Sequence, residues 1–109
     1  TALWAGEPRD YYLAMEKVER ELNAIQSTDR SANFVSCLAV AWPDGDEITF
    51  RGEVHGTLTW PPRGEMGFGY DPVFVPTGFE RTLAELAPAQ KHQMSHRAVA
   101  FEKLKATLL

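Results

Sequence analysis

The fold is decided by the stretch FVSCLAVAW at residues 34–42, followed by PDGD at 43–46 and EITFRGEVHGTLTW at 47–60. Residues 34–42 are small or apolar at both odd and even positions, which is typical of a strand covered on both faces. The PDGD segment supplies turn residues, and residues 47–60 alternate apolar with polar side chains. We therefore predict a long β-hairpin. Gly52 and Gly56 in its second arm indicate a bulge or the close approach of another backbone.

A helical pattern precedes the hairpin. Apolar side chains recur at alternating spacings of four and three residues at Tyr11, Met15, Val18, Leu22 and Ile25. This spacing predicts an amphipathic helix from about Pro8 or Arg9 to Gln26. Proline suits a first helical turn, and the carboxylate of Asp10 suits the positive end of the helix dipole.

Two further helices are predicted near the end of the chain. Thr82 and Glu85 have the spacing of a capping box, which predicts a helix that begins there. Ser95 is placed to cap a second helix that runs to about Thr107. The apolar face of this last helix is predicted at Ala98, Phe101, Leu104 and Leu108.

Together these elements predict an α/β fold in which a mixed, mostly antiparallel sheet, centred on the long hairpin, carries one N-terminal and two C-terminal helices. The 109 residues suffice for one small core, so we expect residues 1–109 to form a single domain. Cys37 lies in the apolar run and is interpreted as a small core residue. No spacing of cysteine, histidine or carboxylate residues indicates a metal site.

Charge and hydropathy exclude several classes of function. The chain has 11 Lys and Arg against 15 Asp and Glu, a formal net charge of -4, which argues against broad binding to a nucleic-acid backbone. The longest apolar run is too short to span a bilayer, and the first residues do not resemble a signal peptide. We therefore expect a cytoplasmic protein with no nucleic-acid and no membrane partner.

The segment between the hairpin and the last helices is the first candidate site. Residues 61–78 contain four prolines and four glycines, which leaves room for little more than a short strand at 73–75. Within this loop Phe68, Tyr70 and Asp71 lie among glycines, where a flat ligand can approach the backbone. Aromatic rings can stack on a nucleobase, and a carboxylate can accept hydrogen bonds from ring N–H groups. The alternative is an ordinary turn whose aromatic side chains fill the core.

The second candidate site lies before and across the start of the last predicted helix. Lys91, His92, Ser95, His96 and Arg97 are grouped there, and the unbonded backbone N–H groups of a helix start favour negative charge. A phosphate or another small anion is the expected ligand. The alternative is that Ser95 is only a helix cap and the charged residues form a solvated turn.

The two candidate sites together resemble a known family. GFGYDP at 67–72 and SHR at 95–97, preceded by Lys91, resemble motifs of the noncanonical purine nucleoside triphosphate pyrophosphatases, also called inosine triphosphate or XTP/dITP pyrophosphatases. The resemblance extends through nearly the whole chain and matches the C-terminal, base-recognising portion of that family. It implies a substrate-binding set made of Phe68, Tyr70, Asp71, Lys91, Ser95, His96 and Arg97.

In that family the enzyme hydrolyses the triphosphate to a monophosphate and pyrophosphate. The resemblance therefore implies a purine nucleoside triphosphate or monophosphate as ligand, and Mg²⁺ as cofactor of the complete enzyme. The family's phosphate-binding loop and acidic Asp-Asp-Ser-Gly segment are not found in this sequence. We therefore expect this chain to hold no metal by itself and assign no catalytic residue.

Two alternatives are a binding module for purine nucleotides without catalysis, and a truncated domain that assembles through exposed surfaces. Because a truncated domain would expose strand edges and apolar side chains, we expect a homodimer or larger homo-oligomer.

Overall fold

In the computed structural model, residues 2–109 are described, and they form three α-helices and three β-strands. In chain order these are α1 (Tyr11–Ala24), β1 (Ser31–Ala41), β2 (Glu47–Leu58), β3 (Phe74–Pro76), α2 (Pro88–Met94) and α3 (His96–Leu108). Two short 3-10 turns, Ala2–Ala5 and Asp71–Val73, lie before α1 and before β3. The predicted α/β class is confirmed. None of the helices in residues 2–109 is long and apolar enough to cross a membrane.

The predicted hairpin is confirmed as β1 and β2, which are neighbours in a sheet of order β1-β2-β3. Its turn is closed by two backbone hydrogen bonds: Trp42 N–H donates to the carbonyl of Asp46 at 2.9 Å, and Gly45 N–H donates to the carbonyl of Trp42 at 3.0 Å. Gly45 has φ 97°, a conformation that favours glycine. The PDGD segment thus supplies the backbone geometry that the turn requires.

The short strand predicted at 73–75 is also present, one residue later, as β3. It pairs antiparallel with β2, and Gly56 lies opposite Pro76. A Cβ atom at Gly56 would overlap the carbonyl of Val75 and come within 2.8 Å of the fully buried Phe74 ring. The close approach predicted at this glycine is therefore confirmed, because the strand pair and the Phe74 ring occupy the space of a side chain.

The chain divides into two compact units. Unit 1 contains residues 2–32 and 56–86, and its core is made of apolar side chains from the two 3-10 turns, α1, β3 and the segment after β3: Ala5, Ala14, Met15, Val73, Phe74, Leu83, Ala84 and Leu86. Unit 2 contains residues 33–55 and 87–109, with Phe50 and Ala100 buried. The candidate residues of the glycine-rich loop belong to unit 1, and those of the basic cluster belong to unit 2.

The first helix is shorter than predicted at both ends. Asp10 is its N-cap, and its Oδ1 atom accepts hydrogen bonds from the backbone N–H groups of Tyr12 at 3.0 Å and Leu13 at 3.4 Å. Because the cap residue lies outside the helix, α1 begins at Tyr11 rather than at residue 8 or 9. Ile25 is the C-cap and is exposed, so the predicted apolar stripe does not extend to it.

The prediction that a helix begins at Thr82 is wrong. Residues 82–86 form a turn, and α2 begins at Pro88 with Ala87 as its N-cap. Half of the capping box is nevertheless made, since Glu85 Oε1 accepts from the N–H of Thr82 at 2.9 Å. The Thr82 hydroxyl donates to the carbonyl of Arg63 at 2.7 Å instead of capping a helix. The Thr82 hydroxyl therefore bonds to a residue that is distant in sequence, whereas the local pattern predicts that it caps a helix.

The last helix is predicted correctly in its cap and wrongly in its buried face. Ser95 caps α3 by accepting from the N–H of Ala98 at 3.0 Å. However, Phe101 and Leu108 of the predicted apolar face are exposed, whereas Ala100 is fully buried. The reason lies at Gly52 in β2, where a Cβ atom would overlap the carbonyl of His96 and the backbone of Ala100. Such a close approach of helix and strand requires the smallest side chains on both sides.

The strand β1 is not covered on both faces within residues 2–109. Its side chains alternate between exposed and half-buried along Ser31–Ala41. Val35 and Cys37 are among the exposed ones, so the interpretation of Cys37 as a core residue is also wrong. A strand whose two faces are both apolar thus shows one of them to solvent.

Candidate functional site

In unit 1 the glycine-rich loop ends in a 3-10 turn that begins at Asp71. The carboxylate of Asp71 is buried, and its Oδ2 accepts a hydrogen bond from the backbone N–H of Phe68 at 3.1 Å. In return the N–H of Asp71 donates to the carbonyl of Phe68 at 3.3 Å. These reciprocal bonds close the segment 68–71 on itself. Asp71 therefore fixes the backbone that carries the aromatic ring.

Phe68 is exposed in this loop. Its residue surface is 65% exposed, and it is flanked by Gly67 with φ 90° and Gly69 with φ 64°. These positive φ values reverse the chain on either side of the ring and favour glycine at both positions. The alternative that this aromatic side chain fills the core is therefore wrong for Phe68. Its ring is placed as a flat apolar surface, as stacking on a base requires.

Tyr70 lies deeper than Phe68 and links the loop to α1. Its ring packs edge-to-face against Tyr11, with ring centroids 5.7 Å apart and an interplanar angle of 80°. Burial raises the pKa of the Tyr70 phenol above its usual value, and the neighbouring Tyr11 phenol adds to this increase. Tyr70 is therefore a neutral hydrogen-bonding group at physiological pH, and its ring anchors the loop on the first helix.

A second anchor of the loop was not predicted from the sequence. The N–H of Met66 donates to the carbonyl of Ala84 at 3.0 Å, and a Cβ atom at Gly64 would overlap the backbone of Ala84. Thr82, which is fully buried, holds the Arg63 carbonyl through its hydroxyl. Residues 82–85 thus hold residues 63–66 of the loop through these contacts. The capping-box spacing is the signal in the sequence that marks them, although it indicates a different partner.

In unit 2 the residue Ser95 forms the joint between two helices. It is the C-cap of α2 and the N-cap of α3, and it is buried. Lys91 therefore lies in the last turn of α2, while His96 and Arg97 lie in the first turn of α3. The joint brings the predicted basic residues together at one place. The prediction that Ser95 caps the last helix depends only on neighbouring residues, and the structure confirms it.

The side chains around this joint have different surroundings. The His96 ring packs edge-on against the ring of Phe34 in β1, with centroids 5.5 Å apart. Arg97 is exposed and lines a cavity of about 720 Å³ in unit 2. His96 thus connects the helix start with the sheet, and Arg97 presents its charge to a cavity large enough for a small molecule or several side chains.

The structure therefore assembles two clusters, each within its own unit. Phe68, Tyr70 and Asp71 lie together in unit 1, and the residues from Lys91 to Arg97 lie together in unit 2. Among residues 2–109 there is no group of three or more His, Cys, Asp or Glu side chains close enough to hold a metal ion. The described residues therefore include no ready cluster of ligands for the Mg²⁺ that the family resemblance implies for the complete enzyme.

Comparison with known proteins finds similarity over nearly the whole chain. A sequence model of the Ham1 family matches residues 1–107. A dITP/XTP pyrophosphatase of Caulobacter vibrioides is 56% identical over 108 residues, which cover 99% of this chain and 56% of that protein. One of Rhodospirillum centenum is 56% identical over 109 residues, which cover 97% of this chain and 53% of that protein. The chain thus spans about half the length of the curated relatives it matches.

Solved structures show the same correspondence. The Ham1 protein of Staphylococcus aureus superposes with a TM-score of 0.87 at 38% identity, over 95% of this chain and 53% of that one. A HAM1 protein of Coxiella burnetii superposes with a TM-score of 0.89 at 36% identity, over 96% of this chain and 54% of that one. Both similarities extend over nearly all of this chain and about half of the compared protein.

Proposed function

This chain belongs to the Ham1 family, and from that premise we propose that it recognises the base of noncanonical purine nucleoside triphosphates as part of a nucleotide pyrophosphohydrolase. The relatives named dITP/XTP pyrophosphatase support this assignment. In the proposed reaction, water adds to the α-phosphorus and the bond from that phosphorus to the bridging α,β-oxygen breaks. The products are a nucleoside monophosphate and pyrophosphate.

The observation that carries the proposal is the exposed Phe68 ring on a loop fixed by Asp71. The reciprocal hydrogen bonds between these two residues fix the backbone that carries the ring before a ligand arrives. Binding of a base to this ring then requires little further ordering of the loop, and the smaller entropy cost favours binding. Stacking of a nucleobase on an aromatic side chain is worth roughly 1–3 kcal/mol.

Base preference is proposed to come from the cluster in unit 2. The guanidinium of Arg97 is an obligatory donor, which pairs with the 6-keto oxygen of hypoxanthine or xanthine. It would face a second donor in the 6-amino group of adenine, and a buried unpaired donor costs about 1–3 kcal/mol. Lys91, Ser95 and His96 are proposed to line the same pocket. Guanine also carries a 6-keto oxygen, so another contact must reject it.

Metal and phosphate chemistry are proposed to reside in the length of the relatives that lies outside the match. Mg²⁺ would neutralise phosphate charge in the complete enzyme, but the described residues offer it no cluster of ligands, so we derive no catalytic step for this chain. A homodimer or larger homo-oligomer is also proposed, because several large apolar side chains are exposed, among them Leu3, Val35 and Phe101.

Calorimetric titration of the 109-residue protein tests the proposal. Inosine triphosphate and inosine monophosphate should bind more tightly than adenosine triphosphate, and Phe68→Ala should weaken the inosine nucleotides about tenfold or more. Met66→Ala is the matched control, since this exposed side chain lies in the same loop. Equal affinity for inosine and adenosine triphosphates, or equal effects of both substitutions, would contradict base recognition by this loop. Pyrophosphate release by this chain alone would contradict the proposed division of labour.

A further inference from the structure

The loop that carries the exposed aromatic ring is closed at its base by Arg63. The N–H of Arg63 donates to the carbonyl of Pro72 at 2.9 Å, so the first and last residues of the segment 63–72 are joined. Segments of this length whose ends lie close together form compact surface loops. The reciprocal bonds of Asp71 fix the turn at 68–71 itself. The place of that turn on unit 1 therefore depends on how the base of the loop is held.

Arg63 is held by the turn that follows β3, through its backbone and its side chain together. Its carbonyl accepts from the Thr82 hydroxyl at 2.7 Å. Its Nη2 donates to the carbonyl of Glu80 at 3.2 Å, and its Nε lies 3.6 Å from Oε1 of Glu85. A planar guanidinium has several N–H groups and can serve both acceptors at once. Three separate contacts thus connect the base of the loop with one turn.

This turn is itself fixed within unit 1. Thr82 is fully buried, its N–H donates to Glu85 Oε1 at 2.9 Å, and its carbonyl accepts from the N–H of Glu85 at 2.9 Å. The N–H of Leu83 donates to the carbonyl of Phe74 at 2.9 Å, which connects the turn to β3. Movement of the turn would break hydrogen bonds of buried groups, which is costly. The turn is therefore a fixed support for Arg63.

We propose that Arg63 is a positioning residue for the ring that stacks on the base, and that Thr82 and Glu85 hold it in this role. These three residues are called here the Arg63 clamp. Because Arg63 is bonded to Pro72, the clamp fixes both ends of the loop on the turn and so sets the place of Phe68 on unit 1. The inference rests on the proposed function, since it concerns the same loop, and it assigns a role to residues outside the proposed binding set.

A direct contact of Arg63 with phosphate is the main alternative, since its side chain is 44% exposed. The observed contacts disfavour this role. The guanidinium lies beside the Glu85 carboxylate, which offsets its charge, and it already donates to the Glu80 carbonyl. A phosphate would have to compete with both acceptors. The two roles predict different losses: a positioning residue affects every ligand that stacks on Phe68, whereas a phosphate contact affects phosphorylated ligands alone.

Calorimetry with inosine and inosine triphosphate separates the two roles. Arg63→Ala in the 109-residue protein should weaken both ligands by the same factor, about three- to tenfold, because partly exposed charged contacts are lost. Hydrogen exchange of the Phe68 amide, measured without nucleotide, should become faster by a similar factor. Arg81→Ala is the matched control, since it removes the same charge from an exposed side chain next to Thr82.

A second variant keeps the proposal testable if Arg63→Ala fails to fold. Thr82→Val removes the hydroxyl that holds the Arg63 carbonyl while the side chain keeps its shape, and it should also make exchange of the Phe68 amide faster. Thr82→Ser keeps the hydroxyl and loses the methyl group. It should leave the protection of that amide nearly unchanged, whereas a packing defect at this buried position would reduce it.

Unchanged exchange of the Phe68 amide in both Arg63→Ala and Thr82→Val would overturn the proposal, and so would equal effects of Arg63→Ala and Arg81→Ala. A loss confined to inosine triphosphate would identify a phosphate contact instead. If the unsubstituted protein bound neither ligand, the proposed function would fail, whereas faster exchange of the Phe68 amide in the variants would still support the clamp.

Discussion

Arg30 and Glu19 form a bidentate ion pair in unit 1, with Nη1 to Oε2 and Nη2 to Oε1 both at 2.7 Å. The pair joins the middle of α1 to the residue that precedes β1. The carbonyl of Arg30 also accepts from the N–H of Leu58 at 2.8 Å, so one residue connects the helix with the end of β2. With side-chain exposures of 30% for Arg30 and 16% for Glu19, this pair is partly shielded from water. Paired planar groups of this kind are the stronger class of ion pairs.

The stability of this pair should depend on pH. Hydrogen bonding to Arg30 lowers the pKa of Glu19 below its ordinary value of 4.5. Because the folded protein has the lower pKa, the contribution is present above the ordinary value and is lost as the pH falls through the lowered one. Glu19→Gln should lower the free energy of unfolding by about 1 kcal/mol at neutral pH. Urea denaturation at several pH values measures the difference, which should shrink in acid.

Glu21→Gln is the control for this prediction, since Glu21 is exposed on the same helix. Its effect should be small at every pH. If the two substitutions changed stability equally, or if the effect of Glu19→Gln persisted unchanged in acid, the ion pair would not be the cause.

Asp71 should act as a positioning residue for Phe68. Asp71→Ala removes the acceptor of the Phe68 N–H and leaves that group without its bond of 3.1 Å. We expect a loss of about 1–3 kcal/mol in unfolding free energy, together with weaker binding of inosine nucleotides. Hydrogen exchange of the Phe68 amide measures the positioning role, because its protection should fall. Asp46→Ala, at the exposed hairpin turn, serves as control and should leave that amide unchanged.

An unchanged Phe68 amide in Asp71→Ala would separate the carboxylate from the loop geometry. If nucleotide affinity still fell in that variant, Asp71 would have to contact the ligand itself, as the family resemblance also allows.

The contact between Gly52 and Ala100 should tolerate no added side chain. In Gly52→Ala the new methyl group would overlap the carbonyl of His96 and the backbone of Ala100, which cannot move away as a flexible side chain can. Overpacking of this kind costs about 1–3 kcal/mol. Thermal denaturation measures it, and Thr49→Ala on the exposed side of β2 is the control. A Gly52→Ala protein of unchanged stability would contradict the close packing of α3 on β2.

These contacts show which features the sequence could predict. The hairpin and the Ser95 cap depend on neighbouring residues, so turn and cap patterns identify both. Thr82 and Glu85 also fit a local pattern, but the hydroxyl of Thr82 bonds to Arg63, which is distant in sequence. No periodicity reports such a partner.

The buried face of α3 was mispredicted for a similar reason. The periodic pattern predicts that the large apolar side chains are buried, whereas the tight contact at Gly52 buries the small Ala100. For the candidate site, the glycines around Phe68 left open whether its ring is exposed or fills the core, and the structure shows that it is exposed. The roles of Phe68 and Arg97 in binding a nucleotide stay predictions, because sequence spacing does not determine how residues far apart in the chain pack.

Ser95 offers the last test, because one side chain holds the joint on which the basic cluster depends. Its hydroxyl oxygen accepts from the N–H of Ala98 at 3.0 Å, and the residue is buried, so water cannot readily replace the bond. Ser95→Ala should lower the free energy of unfolding by about 1 kcal/mol, and Ser95→Thr should restore most of it. Because the cap fixes the first turn of α3, Ser95→Ala should also weaken inosine nucleotide binding through displacement of Arg97. Chemical denaturation and calorimetry on the same samples measure both effects. If Ser95→Thr restored stability but not affinity, loss of the cap would not be the cause of the weaker binding.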